Sequence, residues 1–323
     1  MLVSPDIYTG DKLTCIEPDY TQYVDAKLIR RMSRIIKMGV AAAMETLQQA
    51  GVTNPDAIIT GTAYGCLADT DSFLTRMVEF KEELLSPTAF IQSTHNTVGA
   101  QIALQLKCHN YNNTYVHRGS SFEAAMMDAL SLMNEGEAHH ILVGAVDEII
   151  EKSHAIIGRF GRYEQNGDSS KLLASGTPGT MAGEGAAFFM LSNQKENNVV
   201  AQLVDLKTYY KTQRPITSII NNFLMENNVG VDELDLIILG NNGDNKTDAH
   251  YNDISQKIFK GKRLVGYKNY CGEYPTSSAF ALWMAVKMIG YGKRLNNESS
   301  PKKILIYNNY KLQYPSLYLV SAC

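Results

Sequence analysis

The segment Val116-His117-Arg118-Gly119-Ser120-Ser121-Phe122-Glu123-Ala124-Ala125 reads as the end of a strand, a sharp turn and the start of a helix. Such a turn suits a nucleophile, because the first N–H groups of a helix have no intrahelical partner and can hold an oxyanion. The apex of this turn is Gly119, which has no side chain with which to attack. The segment has the scaffold of a catalytic elbow and lacks its reactive atom.

Outward from the elbow, helical and strand patterns alternate. Leu28, Met32, Ile35, Ile36, Gly39, Val40, Ala43 and Leu47 recur at helical spacing and predict a helix over 25–50, closed by Gly51. A short apolar strand follows at 57–62. Residues 98–106 read as a helix capped by Thr94 or Asn96, and 113–117 as a strand. Residues 122–134 form an apolar helix with Met126, Leu130 and Met133 on one face, and Ser120 and Ser121 read as its caps. The run Ile141-Leu142-Val143-Gly144-Ala145-Val146 is apolar throughout, as in a sheet covered on both faces, and 185–191 is a further strand. Beyond the polar stretch 192–198 the theme repeats: helix 216–227, strand 234–239, helix 277–291, strands 303–307 and 317–320. This divides the chain into halves 1–195 and 196–323, each of layered α/β type.

Composition narrows the function classes. The 323 residues are 45% hydrophobic and 20% charged with a formal net charge of −3, which suits a globular α/β protein and argues against a general nucleic-acid binder. No apolar run approaches the roughly 18 residues that span a bilayer. The start carries no basic region followed by an apolar segment, so a cytoplasmic protein is expected. Cys15, Cys66, Cys108, Cys271 and Cys323 are odd in number, scattered and without a Cys-x-x-Cys, which speaks against a disulfide framework or structural zinc. His139-His140 lie at a strand entry, where neighbours point to opposite faces, so no metal is expected there. Gly176-Thr177-Pro178-Gly179 runs toward a strand and not into a helix, the wrong order for a phosphate cradle. The basic residues Lys257, Lys260, Lys262, Arg263, Arg30, Arg31 and Arg34 suit either a solvated face or an acidic partner.

The order of several motifs resembles the β-ketoacyl-carrier-protein synthases. These are Arg30-Arg31-Met32-Ser33-Arg34 before an Ala-rich helix, Gln101-Ile102-Ala103, Asn134-Glu135-Gly136-Glu137-Ala138 before the apolar strand and Asp147-Glu148, and Gly183-Glu184-Gly185-Ala186. The resemblance covers most of the chain. It implies a thiolase-like α/β fold of five α-β-α-β-α layers built from two similar halves. Val3-Ser4-Pro5 resembles the segment just after the first family strand, so that strand is expected to be truncated.

The resemblance also implies a catalytic Cys and two His, and this chain departs from all three. Gly119 stands for the Cys. Asn242, in Leu239-Gly240-Asn241-Asn242-Gly243-Asp244, stands for the first His. Glu273, five residues after a retained Lys268, stands for the second. Asn308-Asn309-Tyr310-Lys311 replaces the Phe/Gly-rich gate loop. Condensation needs a thiolate to carry the acyl chain and neutral imidazoles to steady a developing enolate. The resemblance is therefore to catalytically silent, chain-length-factor-like subunits, and most nearly to the short synthase-like proteins of aryl-polyene and flexirubin pigment loci. It implies no cofactor and no metal. It implies as partner an active β-ketoacyl synthase or a second copy, with acyl carrier protein as a further candidate, and residues near 113–117 at the dimer interface. His95, Ser120 and Asn242 are the expected substrate-facing residues. The competing reading is a serine acyltransferase or hydrolase using Ser120, with His95 or His117 as base; a third is a self-associating structural protein.

Overall fold

The computed structural model describes residues 7–83, 85–164, 166–194, 199–291 and 300–323. Its principal elements, in chain order, are α1 (Arg34–Ala50), β1 (Ala57–Gly61), α2 (Leu67–Glu79), α3 (Pro87–Gln92), α4 (Thr97–Leu106), β2 (Tyr111–Tyr115), α5 (Ser121–Asn134), β3 (His140–Asp147), β4 (Gly185–Ser192), β5 (Ala201–Thr208), α6 (Ile216–Glu226), β6 (Leu236–Leu239), α7 (Asn245–Lys257), β7 (Leu264–Gly266), α8 (Ser278–Tyr291), β8 (Lys303–Tyr310) and β9 (Tyr314–Ala322). They fall into two compact units. One takes the described residues of 15–151 and 184–196; the other takes the described residues of 1–14, 152–183 and 197–323.

In the first unit the strand order is β2-β1-β3-β4, with β1 parallel to both neighbours and β4 antiparallel to β3. Every residue of β1 is buried, which is why its sequence is apolar without alternation. Ile58 and Leu142 pack with Ile35, Ile36, Val98 and Ile102 from α1 and α4. On the opposite face α5 approaches so closely that a Cβ on Gly61 would lie 2.7 Å from the Ser121 carbonyl oxygen. Only glycine permits that approach, and it sets the height of the elbow helix over the sheet.

The helix expected over 25–50 is two pieces. Asp25 caps a single turn, Ala26–Ile29, and α1 begins anew at Arg34 and ends at Gly51 in the left-handed region (φ 70°). The restart puts Arg34 at the mouth of α1, where its guanidinium grips Glu184 through two bonds of 2.7 and 2.5 Å. The same carboxylate accepts the N–H groups of Cys15 and Ile149, each at 2.9 Å, and its side chain has no solvent exposure.

The second unit has the order β7-β6-β8-β9-β5. β6 runs parallel to β7 and β8; β9 is antiparallel to β8 and β5. Ile219, Ile220, Phe223 and Ile254 of α6 and α7 pack on Ile237, Leu239, Leu305 and Leu317, while α8 borders β8, β9 and β5. The order and directions of β7-β6-β8-β9 repeat those of β2-β1-β3-β4, so the two units are similar in topology. In the second unit β5 lies outside β9. In the first, the outer side of β4 meets the Thr46 hydroxyl, which donates to the Phe188 carbonyl at 3.2 Å, and the Cys15 thiol, which reaches the Glu184 carbonyl at 3.6 Å. Val3-Ser4-Pro5, where the truncated strand is expected, lies outside the described residues. Residues 9–10 and 12–13 instead pair with 167–168 and 182–183.

Glu148 lies at the end of β3 and is 8% exposed. Its carboxylate accepts the Ala68 N–H at 2.9 Å and so caps α2. Burial, with the negative charges of Asp69 and Glu184, pushes this carboxyl up to about 7, against the Ala68 bond and the Arg34 charge. The folded state therefore favours the protonated form. Its contribution is fully present below the ordinary glutamate value and is lost as pH rises to about 7, a change of roughly 3 kcal/mol. Glu148→Gln keeps an acceptor for Ala68 and cannot ionise. Thermal melts of variant and wild type are expected to coincide near pH 4 and to diverge by pH 8, with the Gln variant the more stable.

Candidate functional site

The elbow is a one-turn 3-10 segment, Arg118–Ser120, between β2 and α5. Arg118 adopts the left-handed region (φ 53°), and Gly119 beside it is buried with no positive φ. The other left-handed non-glycine residues follow helix ends, as Lys81, Glu82, Lys107 and Asn228 do, or sit in the turns at Lys211, Lys311 and Leu312. Arg118 alone leads into a helix, in the strand-to-helix geometry that places strain at nucleophile elbows. The turn is pinned by Ser121, whose hydroxyl accepts from the His117 N–H and donates to the Arg118 carbonyl, both at 2.8 Å. Ser121 thus works inside the turn and not as a helix cap, and Ser120 makes no side-chain cap bond.

No hydrogen bond joins Ser120 to His95 or His117 among the described residues. The His117 ring lies against Tyr115, 5.9 Å between centroids. His95 stacks over the turn after β1, where a Cβ on Gly65 would lie 2.8 Å from its ring. Among the described residues no base is hydrogen-bonded to the Ser120 hydroxyl. Helix α4 starts at Thr97, and neither Thr94 nor Asn96 caps it with a side chain; the Thr94 hydroxyl bonds to the Ile91 carbonyl and to Thr97.

Among the described residues of the first unit, Cys108 lies away from the elbow and Cys66 is buried beside it. Cys108 reaches the Pro55 carbonyl at 3.6 Å, at the start of β1 and so at the opposite end of the sheet. Cys66 lies at the end of β1 that neighbours the elbow, but it is buried, and burial with the charges of Asp69 and Glu148 pushes its thiol well above the usual range. It stays a protonated, poorly nucleophilic thiol. Cys271, in the other unit, is buried with its sulfur 3.4 Å from the Gly272 carbonyl.

In the second unit Asn242, Lys268 and Glu273 meet. The turn after β6 is held by Asp248, which accepts the N–H groups of Asn242 and Gly243 at 2.9 and 3.0 Å, and by Asp244, which caps α7 through Lys246 and Thr247. Glu273 is strapped by its backbone, its N–H donating to the Met181 carbonyl and its carbonyl accepting from Gly183. Its Oε2 accepts both from the Asn242 amide and from the Lys268 ammonium, each at 2.6 Å. Lys268 is 1% exposed and the Glu273 side chain 12%. The donors that converge here are thus engaged by a carboxylate of the chain itself. Glu273 Oε1 has no hydrogen-bond partner among the described residues.

Where Asn308-Asn309-Tyr310-Lys311 stands in place of the family's gate loop, β8 and β9 form a tight hairpin. Tyr310 pairs with Tyr314, Lys311 and Leu312 are left-handed (φ 55° each), and the Leu312 and Gln313 N–H groups close the turn on Asn309 and Tyr310. Beside it lies a cleft of about 360 Å³ that includes His250, Arg214, Thr217 and Asn309. His250, bonded to the Tyr307 hydroxyl at 2.7 Å, was not singled out by the sequence, where no element is predicted around it. Among the basic residues that could meet an acidic partner, Arg34 is bound to Glu184 and Glu17, Lys257 to Asp253 and Lys262 to Asp232. No group of three or more His, Cys, Asp or Glu side chains suited to a metal occurs among the described residues, and no helix among them is long and apolar enough to cross a membrane.

The family model described as β-ketoacyl synthase, N-terminal domain, matches residues 8–197, more than half of the chain, and the chain belongs to that family. No curated protein is a significant match. Among solved structures, the chain is similar to the ishigamide ketosynthase/chain length factor, at 17% identity and a TM-score of 0.79, over 96% of this chain and 87% of that one. It is similar to the ketosynthase ApeO in complex with its chain length factor ApeC from Xenorhabdus doucetiae, at 15% identity and 0.73, over 93% and 84%. A β-ketoacyl synthase from Burkholderia phymatum aligns at 13% identity and 0.75, over 96% and 86%. The fold is therefore the thiolase-like fold of the ketosynthases.

Two expectations test the local physics. Arg118→Gly relieves a left-handed side chain at the cost of a more flexible unfolded chain, and is expected to raise stability by about 0.5–1 kcal/mol in urea unfolding. Lys268→Met strands the Glu273 carboxylate without its cation and is expected to cost about 3–5 kcal/mol, partly recovered by adding Glu273→Gln.

Proposed function

We propose, with membership of the β-ketoacyl synthase family as premise, that this chain is a catalytically silent, chain-length-factor-type subunit. It pairs with an active, Cys-bearing synthase in the cytoplasm and shapes the acyl tunnel during aryl-polyene-type chain extension on acyl carrier protein. The observation that carries the reading is the bond set on Glu273. In the matching family site two imidazoles donate to a thioester oxygen; here Asn242 and Lys268 both donate to an internal carboxylate. An enolate generated beside that carboxylate meets repulsion where stabilisation is needed. Gly119, at the position matched to the nucleophile, supplies no thiolate, and the closed hairpin after Tyr310 leaves little freedom for a gate. The similar solved chains that carry the name chain length factor support the partner in this reading.

Purified alone with acyl and malonyl carrier protein, the chain is expected to give neither condensation nor carbon dioxide release, as followed by mass spectrometry of the carrier. Mixed with a Cys-bearing β-ketoacyl synthase, it is expected to form a stable complex and to change the length of the product. Turnover by the chain alone that Ser120→Ala abolishes would replace this reading with the serine acyltransferase.

A further inference from the structure

We infer that the cleft bounded by the N-terminus of α6, by α7 and by the β8–β9 hairpin binds a small organic acid that carries a hydroxyl or amino donor beside its carboxylate. The cleft has a volume of about 360 Å³, the size of a small-molecule site, and all of its lining lies in the second unit. Neither Asn242 nor Glu273 lines it. Successive residues of a strand point to opposite faces. Tyr307 and Asn309 of β8 point toward α7, where the Tyr307 hydroxyl meets His250. Asn308 points the other way and accepts from the Tyr267 hydroxyl at 3.0 Å.

An unmet acceptor marks the site. Asn309 lines the cleft and is 6% exposed. Its amide nitrogen donates to the Tyr307 hydroxyl at 3.2 Å, and that hydroxyl has its own proton left for His250 Nε2 at 2.7 Å. Burial pushes His250 below its ordinary value, against the charge of Asp253, so at pH 7 the ring is neutral and able to accept. The Asn309 Oδ1 is left buried with no partner among the described residues. A buried acceptor calls for a donor, and the chain brings none to it.

Positive charge and free N–H groups supply the rest. The Arg214 guanidinium meets no carboxylate among the described residues. Lys257 is paired with Asp253 at 2.9 Å, so the lining keeps one net positive charge. Lys211 and Lys311 adjoin it in sequence, beside Thr212 and Leu312. On the first turn of α7, Lys246 adds a cation, while Asp244 and Asp248 are bonded to backbone N–H groups of that turn and the one before it. At the start of α6 the Ser218 and Ile219 N–H groups bond back to the Pro215 carbonyl, which leaves those of Ile216 and Thr217 without an intrahelical partner. A carboxylate answers Arg214 and these N–H groups, and a donor on the same molecule answers Asn309. Ile216, Leu312 and Pro315 offer an apolar wall for the remainder. An acid without a donor satisfies the charge and leaves Asn309 unmet.

The test is isothermal titration of the full chain with phenyllactate and with phenylpropionate, which differ by one hydroxyl. Phenyllactate is expected to bind at least tenfold more tightly. Arg214→Gln, at an exposed position, is expected to weaken it at least tenfold with unchanged circular dichroism. Lys260→Gln, an exposed cation outside the cleft, is expected to leave it unchanged. Asn309→Ala is expected to erase the preference for the hydroxyl; if that variant does not fold, the comparison of the two acids on the wild type decides. Equal affinity for the two acids, or for sulfate, overturns the inference, as does the absence of heat with phenyllactate at millimolar concentration. Binding that Arg214→Gln leaves intact places the ligand elsewhere and overturns it too. Each of these outcomes leaves the proposed function standing.

Discussion

The buried carboxylate of Glu184 organises the first unit. It joins four separate stretches of chain: Cys15 through its N–H, the mouth of α1 through Arg34, the segment after β3 through the Ile149 N–H, and β4, which Glu184 itself opens. A carboxylate without solvent is costly unless every lone pair is met by a donor, and here two backbone N–H groups and a bidentate guanidinium meet it. The arrangement explains features that are otherwise unrelated. Helix α1 must restart at Arg34 for the guanidinium to reach, and the motif that carries Glu184 must sit at the entry of β4.

A comparable device in the second unit serves a different end. The Glu273 carboxylate takes an amide and an ammonium on a single oxygen. In a condensing enzyme such donors are held ready for charge that appears only in the transition state, and the catalytic gain comes from that readiness. An internal acceptor satisfies them in the resting protein. On the proposed function, the same contacts that hold the turn after β6 against the segment after Lys268 occupy donors that the chemistry would need. In the first unit the backbone of an elbow persists, left-handed at Arg118 and pinned by Ser121, with no side chain at Gly119.

Much of the architecture was legible because burial writes itself into apolar runs. The continuous stretch 141–146 falls in β3, buried from Ile141 onward, and Gly51 ends α1 in the left-handed region that glycine favours. Helices α2 and α3 left no such mark because no residue in either is buried, so the apolar positions they carry, Phe73, Leu74, Met77 and Val78 on α2, do not report a covered face. The break at 30–33 was hidden because helical spacing of Leu28, Met32 and Ile35 runs straight through it, and its cause, Glu184, lies 150 residues away. The two serines of the elbow show the limit of local rules: serine favours caps, yet Ser121 is drawn into the turn. At the second site the pairing of Asn242 with Glu273 came from resemblance alone. A separation of 31 residues carries no periodicity, and no spacing rule would join them.

The interleaving of the two units has a consequence for biosynthesis. The excursion 152–183 separates β3 from its antiparallel neighbour β4, yet it belongs to the other unit, as do residues 7–14. A ribosome that has released β3 has not yet made the strand that covers its open side, and the chain made in between waits for the turn after β6 and the segment at Glu273, more than fifty residues further on. Neither unit can mature as an independent nascent domain in order of synthesis. Closure at such long sequence separation slows folding and prolongs the exposure of apolar surface. A long wait between the making of an edge and its closure is thus built into the route of the chain through its own fold.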